Sequence, residues 1–265
     1  MKILKFVLVA VACAQPVRAC DICAIYSAAE ARGEAGRGFF GGIAEQYTYF
    51  GNLQEDGESV SNPTGQYLNS SISQLFVGYN ISKRAGVQFN APVIYRSFRR
   101  PEGFQIDEGT ESGLGDVEGQ IRWRWRRETE RRPELFSYAE FVVPHAKDKV
   151  LIGTPGVELK FGAGVARGFH WGTLTARAAA EYSEASSSPW DLGEYAVEYL
   201  KRLSRTWRVY AGIEGQQDEV SLITEAQWHI LPYGFVRLNT GIGLTSKATD
   251  WTPELGVLFT WPFSR

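Results

Sequence analysis

The chain has 265 residues, with 28 basic and 30 acidic side chains, 28 glycines, 13% aromatic residues and three cysteines. Its slightly acidic balance gives no electrostatic reason to expect a nucleic-acid partner, and three cysteines cannot supply a disulfide framework. The length suits one large all-β domain or two small ones, and the order of residues has to decide.

The chain opens with Lys2 and Lys5, an apolar run from Phe6 to Cys13, and a polar stretch ending at Val17-Arg18-Ala19. Small residues at the two positions read by a signal peptidase mark residues 1–19 as a secretory signal, too short to cross a membrane as a helix. No later stretch reaches the roughly eighteen consecutive apolar residues that a spanning helix needs. Without Lys2, Lys5 and Arg18, 25 basic residues stand against 30 acidic ones, a net charge near −5.

Residues 20–37 form a second segment. Cys20-Asp21-Ile22-Cys23 is followed by Ala24 rather than histidine, so it is not a haem-attachment site. Two thiols are half of an ordinary zinc set. Cys20 and Cys23 are candidates for a small disulfide, for lipidation of Cys20, or for contact with a periplasmic partner. Asp21 can cap a short helix whose one face carries Ile22, Ile25, Tyr26 and Ala29 and which Gly33 can end. That helix suits either the periplasm or a plug in the lumen of a barrel.

From residue 38 the sequence repeats one unit, a run of period-two alternation followed by a polar turn. Twelve runs are predicted, near 38–50, 71–81, 85–98, 113–126, 135–144, 155–167, 171–183, 191–203, 206–215, 219–231, 234–246 and 253–263. In the fourth, Val117, Ile121, Trp123 and Trp125 oppose Glu118, Gln120, Arg122 and Arg124. The first is the least regular, because Ile43, Glu45 and Tyr47 share a face. Pro92 interrupts the third, and a bulge is expected to accommodate it.

Soluble sandwiches also alternate, but three features point to a membrane barrel. The runs exceed the five or six residues of a common soluble strand and match the about nine to eleven of a tilted spanning strand. Long connections (51–70, 99–112) alternate with tight ones (82–84, 168–170, 204–205), as in barrels with external loops and periplasmic turns. With the N-terminus in the periplasm, Trp125, Trp171, Trp207, Trp228 and Trp261 fall at the periplasmic level and Trp190 and Trp251 at the outer one, as expected of interfacial girdles. The predicted fold for 38–265 is an all-β, closed antiparallel transmembrane β-barrel of about twelve strands, preceded by the short N-terminal helix.

The last run, Leu255 to Phe263, resembles the β-signal by which bacterial outer-membrane barrels are recognised for insertion, although it continues to Ser264-Arg265. Gly113-Leu114-Gly115-Asp116-Val117, opening a strand after a long loop, resembles an element of the transporter family named for the MetA pathway of phenol degradation. The resemblance implies an outer-membrane barrel in a Gram-negative bacterium, passing small compounds that are aromatic or apolar.

If tryptophan-bearing faces meet lipid, the lumen receives Arg96, Glu118, Arg122 and Arg124, then Glu140, Glu158 and Lys160. It also receives Arg177, Glu181, Glu194 and Glu198, then Arg208, Glu214, Glu225, His229 and Arg237. Desolvated charges must pair, and the signs nearly balance, so a strongly ion-selective ring of one sign is not expected. The predicted function is a channel or transporter for small solutes through a narrow, charge-balanced lumen. The contrasting reading is a non-conducting scaffold or adhesin that binds a partner through its loops or N-terminal segment. The expected partners are outer-membrane lipid and lipopolysaccharide, a small-molecule solute and a periplasmic partner at the N-terminus. Ser221, Glu225 and His229 share a strand face, but no motif makes them a triad, and neither catalysis, a cofactor nor a metal is expected.

Overall fold

A computed structural model describes residues 37–51, 54–55, 58–59, 61–102, 105–145, 149, 151–186, 189–216, 219–245 and 248–263. The signal segment, Cys20, Cys23 and the predicted N-terminal helix lie outside the described residues.

Among the described residues fifteen strands follow in order: β1 Gly38–Phe50, β2 Gln54–Glu55, β3 Glu58–Ser59, β4 Tyr67–Asn80, β5 Ala85–Glu102, β6 Gln105–Leu114, β7 Val117–Arg126, β8 Glu134–Val143, β9 Glu158–Phe169, β10 Gly172–Ser183, β11 Trp190–Arg202, β12 Trp207–Gln216, β13 Glu219–Leu231, β14 Gly234–Gly243 and β15 Trp251–Pro262. Every neighbouring pair is antiparallel. β1 pairs with both β4 and β15, so the sheet closes on itself. Twelve strands form the barrel wall, and β6 is an extra strand. β2 and β3 make a separate small ladder. Closure leaves no long free edge in the wall.

The extra strand corrects the predicted loop at 99–112. β5 runs on to Glu102 and pairs with β6 from Val93↔Leu114 to Glu102↔Gln105, while its first part pairs with β7 from Ala85↔Trp123 to Asn90↔Glu118. The predicted run 113–126 is therefore broken at Gly115-Asp116. Pro92 sits where β5 changes partner: it lies opposite Gln74 in an unshifted ladder with β4, while on the other side residues 91–92 face the three residues 115–117, so the register slips by one there. No ladder N–H is needed there, and the Pro92 carbonyl accepts the Gly115 amide at 2.8 Å. Further register shifts lie at Ala178/Ala180 in β10, at Arg124/Arg126 and at Trp228/Leu231.

One end of the barrel carries the tight connections and the start of β1 beside the end of β15; we call it the turn end and the other the loop end. The outward face is apolar: Leu75, Val197, Leu238, Ile43 and Leu255 are all more than half exposed. Such a band is unsuited to water and matches a lipid-covered surface. Tryptophans sit at its edges. Trp207 stacks on Trp228 (centroids 5.8 Å apart, planes 7° apart) and Trp171 on Phe169 (4.8 Å, 6°) at the turn end, with Trp190 and Trp251 beginning strands at the loop end. The irregular face of β1 has a local reason. Glu45 does point outward, and its carboxylate accepts the hydroxyls of Ser71 and Ser73 on β4.

Inside, large rings lie over glycines of the facing strand. Phe136 pairs with Gly164 and Tyr138 with Gly162, and a Cβ at either glycine would approach the ring within 2.3 Å. Phe40 covers Gly78 and Phe76 covers Gly42 in the same way across β1 and β4. Only glycine leaves room for a ring flat against the wall.

Candidate functional site: the lumen

The inward faces carry the charged residues that β alternation assigns to the interior. In the middle of the barrel a belt of polar contacts crosses six adjacent strands. Gln120 of β7 donates to Glu140 of β8 at 2.8 Å. Lys160 of β9 meets Glu140 at 3.3 Å and Glu194 of β11 at 3.1 Å. Arg177 of β10 then gathers three carboxylates: its Nε lies 2.8 Å from Glu198, and its two terminal nitrogens contact Glu194 and Glu214 of β12. The Tyr138 hydroxyl also accepts from Arg177, at 3.5 Å. Arg177 is essentially without solvent contact, so its charge is tolerable only because this cage surrounds it.

Towards the turn end the lumen is filled. Phe40, Phe76 and Leu258 form one apolar cluster with Phe235 packed on it, and Phe136, Tyr138, Ala166 and Ala179 form another. The charges at this level pair locally. Arg124 meets Glu134 at 3.0 Å and donates to the Lys83 carbonyl at 2.9 Å. Arg122 donates to Asn80 at 3.3 Å, and Arg237 reaches towards the loop end, 2.7 Å from Glu254. Glu225 is buried and accepts from Gln227. Arg208 is partly buried near the start of β12.

His229 lies 3.3 Å from the Gln227 amide oxygen and stacks on Phe235 (4.8 Å, 27°). Ser221, Glu225 and His229 share the inward face of β13, but they are spread along it. Glu225 and His229 each contact Gln227 rather than each other, which is not the arrangement of a nucleophile, base and orienting acid.

Towards the loop end the lumen opens into a cavity of about 410 Å³. Residues 151–155, from the connection between β8 and β9, form part of its wall. Ile152 packs on Ile72 and Ile94, and Leu151 lies against the same cluster. Three polar groups fasten this connection. Arg96 donates to the Leu151 carbonyl and Glu111 accepts the Leu151 amide at 2.8 Å. Asp116 accepts the His145 amide and the Thr154 hydroxyl, each at 2.7 Å, and the Thr154 amide. Asp116 belongs to the Gly113–Val117 stretch singled out in the sequence, and it anchors a loop folded inward.

The cavity wall includes Arg96, Glu118, Glu140, Glu158, Lys160 and Glu181, with Glu194 at its deeper part; Arg177, Glu198, Arg122, Arg124, Arg208, Glu225, His229 and Arg237 do not line it. Sequence reasoning missed three acidic members of the wall, Asp116, Glu219 and Glu254. Glu254 was available from the alternation of β15, because Leu255, Val257 and Phe259 occupy the outward positions. Asp116 was not, since its role depends on a loop whose folding no periodicity records.

No protein-family model and no curated protein sequence matches the chain. Solved structures do. The COG4313 outer membrane channel from Pseudomonas putida F1 superposes with a TM-score of 0.67 at 15% identity, over 85% of this chain and 96% of that one. The fold is that of an outer-membrane β-barrel. KdgM porin follows at TM-score 0.52 and 6% identity, over 83% of this chain and 99% of that one. The transport unit of the autotransporter AIDA-I from Escherichia coli gives 0.50 and 10%, over 87% and 92%. At these identities the likeness is one of fold.

Proposed function

We propose that the protein is an outer-membrane channel for small solutes, entered through the loop-end cavity and narrowed at mid-height by the belt around Arg177. The observation that carries this reading is the joint occurrence of a closed barrel with an apolar outer face and a polar-walled cavity inside its loop end. Export by cleavage of residues 1–19 would deliver residues 20–265 to a Gram-negative outer membrane, with the turn end in the periplasm and lipopolysaccharide around the loop end. Residues 20–37, with Cys20 and Cys23 as a small disulfide, would then lie at the periplasmic mouth, as a plug or as a contact for a periplasmic partner.

The lumen-lining set would divide in use. Glu118, Glu140, Glu158, Lys160 and Glu181 would meet solute first, and Arg177 with Glu194 and Glu198 would form the gate. The apolar part of the cavity wall (Pro92, Ile94, Leu151, Ile152) supports solutes with a carbon body, the class implied by the phenol-degradation resemblance.

Single-channel recording in planar bilayers with a series of sized solutes tests the reading. We expect discrete conductance that larger solutes reduce. The filled turn half favours a second reading, a non-conducting scaffold, and absence of current and of solute uptake under every condition, including after deletion of residues 21–33, would establish it.

A further inference from the structure

The lumen charges are distributed unevenly along the barrel axis. Nine acidic side chains line the loop-end cavity against two basic ones, Arg96 and Lys160. Arg177 and Arg237 reach acids of this wall from below, through Glu194, Glu214 and Glu254. Counting all four bases against the nine acids still leaves a formal excess of five negative charges among the described residues. Arg122, Arg124 and Arg208 belong to the turn half. The lumen is therefore not balanced as the sequence suggested: its negative excess is concentrated at the loop end, and low-dielectric walls focus such a field on the cavity.

A second observation concerns hydrogen bonding. Gln88 and Asn90 are buried in the cavity wall, and neither Gln88 Oε1 nor Asn90 Oδ1 receives a hydrogen bond. The orientation of the Asn90 amide is fixed. Its Nδ2 donates to Gln74 Oε1 at 3.1 Å and to Glu118 Oε2 at 3.2 Å, and a carboxylate can only accept. Glu214 Oε2 also lacks a donor, although the other oxygen of that carboxylate holds Arg177. Buried acceptors left without donors are costly. The wall thus calls for positive charge and for N–H donors together, with Pro92, Ile94, Leu151 and Ile152 available to cover carbon. The volume lies within the roughly 300–1,000 Å³ of small-molecule sites. Among the described residues no group of three or more His, Cys, Asp or Glu is placed to hold a metal ion, so a bare metal fits the wall less well.

We propose that the loop-end cavity is a selectivity site for small organic cations, solutes carrying an ammonium or guanidinium head on a short carbon body. The proposal rests on the channel reading and adds the solute class to it.

The test is reversal-potential measurement on the mature protein in planar bilayers, first with an ethylammonium chloride gradient and then with potassium propionate. We expect ethylammonium to permeate several-fold better than chloride, and propionate to lag well behind potassium. The double variant Glu118→Gln/Glu158→Gln, which leaves a smaller negative excess, should clearly lower both ratios, and Glu181→Gln should lower them to a lesser degree if the double variant fails to insert. Glu108→Gln, on the β5–β6 extension away from the cavity, should change neither. Conductance with no cation preference, or a preference undiminished in both cavity variants, overturns the proposal while leaving the channel intact. Absence of conductance with any solute overturns the channel reading and this proposal with it.

Discussion

The two halves of the lumen are built on the same twelve strands and are filled in opposite ways. The turn half is dry: Phe40, Phe76, Leu258, Phe136 and Ala166 are each at most 2% exposed, and rings rest on glycines across the strands. Its arginines are held by short-range partners. The loop half carries an acidic excess around open space and borrows part of its wall from the connection between β8 and β9. The belt around Arg177 is the boundary. Strand number alone would give a uniform tube, so the difference shows how far side-chain volume and one inward loop decide where a barrel of this size is open.

The largest effect should come from breaking the boundary. Arg177→Met leaves Glu194, Glu198 and Glu214 without their shared cation, and one-sided removal of a buried ion pair costs about 3–5 kcal/mol. Urea unfolding in lipid vesicles should show that loss, and an unchanged midpoint would mean the belt is better hydrated than its burial implies.

Next comes the dry half. Gly164→Ala places a Cβ about 2.3 Å from the Phe136 ring, and overpacking of this kind costs about 1–3 kcal/mol. The same vesicle assay should report it, whereas Gly241→Ala should be close to neutral, because its added carbon would meet nothing nearer than 3.5 Å.

A smaller and more local effect is expected at the loop wall. Asp116→Ala removes the acceptor of two backbone amides and one hydroxyl. Hydrogen bonds to a charged group contribute about 1.5–3 kcal/mol each, so amide exchange at His145 and Thr154 should quicken by roughly tenfold or more. Exchange in β10 to β12 should not follow.

The smallest effect belongs to the β5–β6 extension. Arg99 and Glu108 are paired at 3.1 Å but well exposed, and Glu108→Gln should shift stability by less than about 0.5 kcal/mol.

These regions also differ in how legible they were beforehand. Alternation revealed the wall strands because lipid outside and side chains inside impose a strict period of two, and Trp123 and Trp125 against Arg122 and Arg124 is enough to orient β7. Tryptophan placement gave the two rims. The β5–β6 extension was hidden as a loop because its exposed strands alternate little, although Arg99–Glu108 and Arg100–Asp107 are cross-strand pairs that could have suggested it. At Pro92 the irregularity lies on the facing segment, residues 115–117, rather than in β5 itself, which the pattern of one strand does not show. The acidic excess of the loop half was missed because Asp116, Glu219 and Glu254 were not assigned to the lumen, and because counting charges discards their height along the barrel.

The most direct test uses single cysteines in a Cys20→Ser/Cys23→Ser background, labelled on intact cells with a membrane-impermeant, positively charged thiol reagent. Ser221→Cys lies on the cavity wall and should react from outside, whereas Ala166→Cys, buried in the turn half, should react only after unfolding. Protection of both sites, or equal reaction at both, would contradict a lumen that is open and acidic at one end and filled at the other.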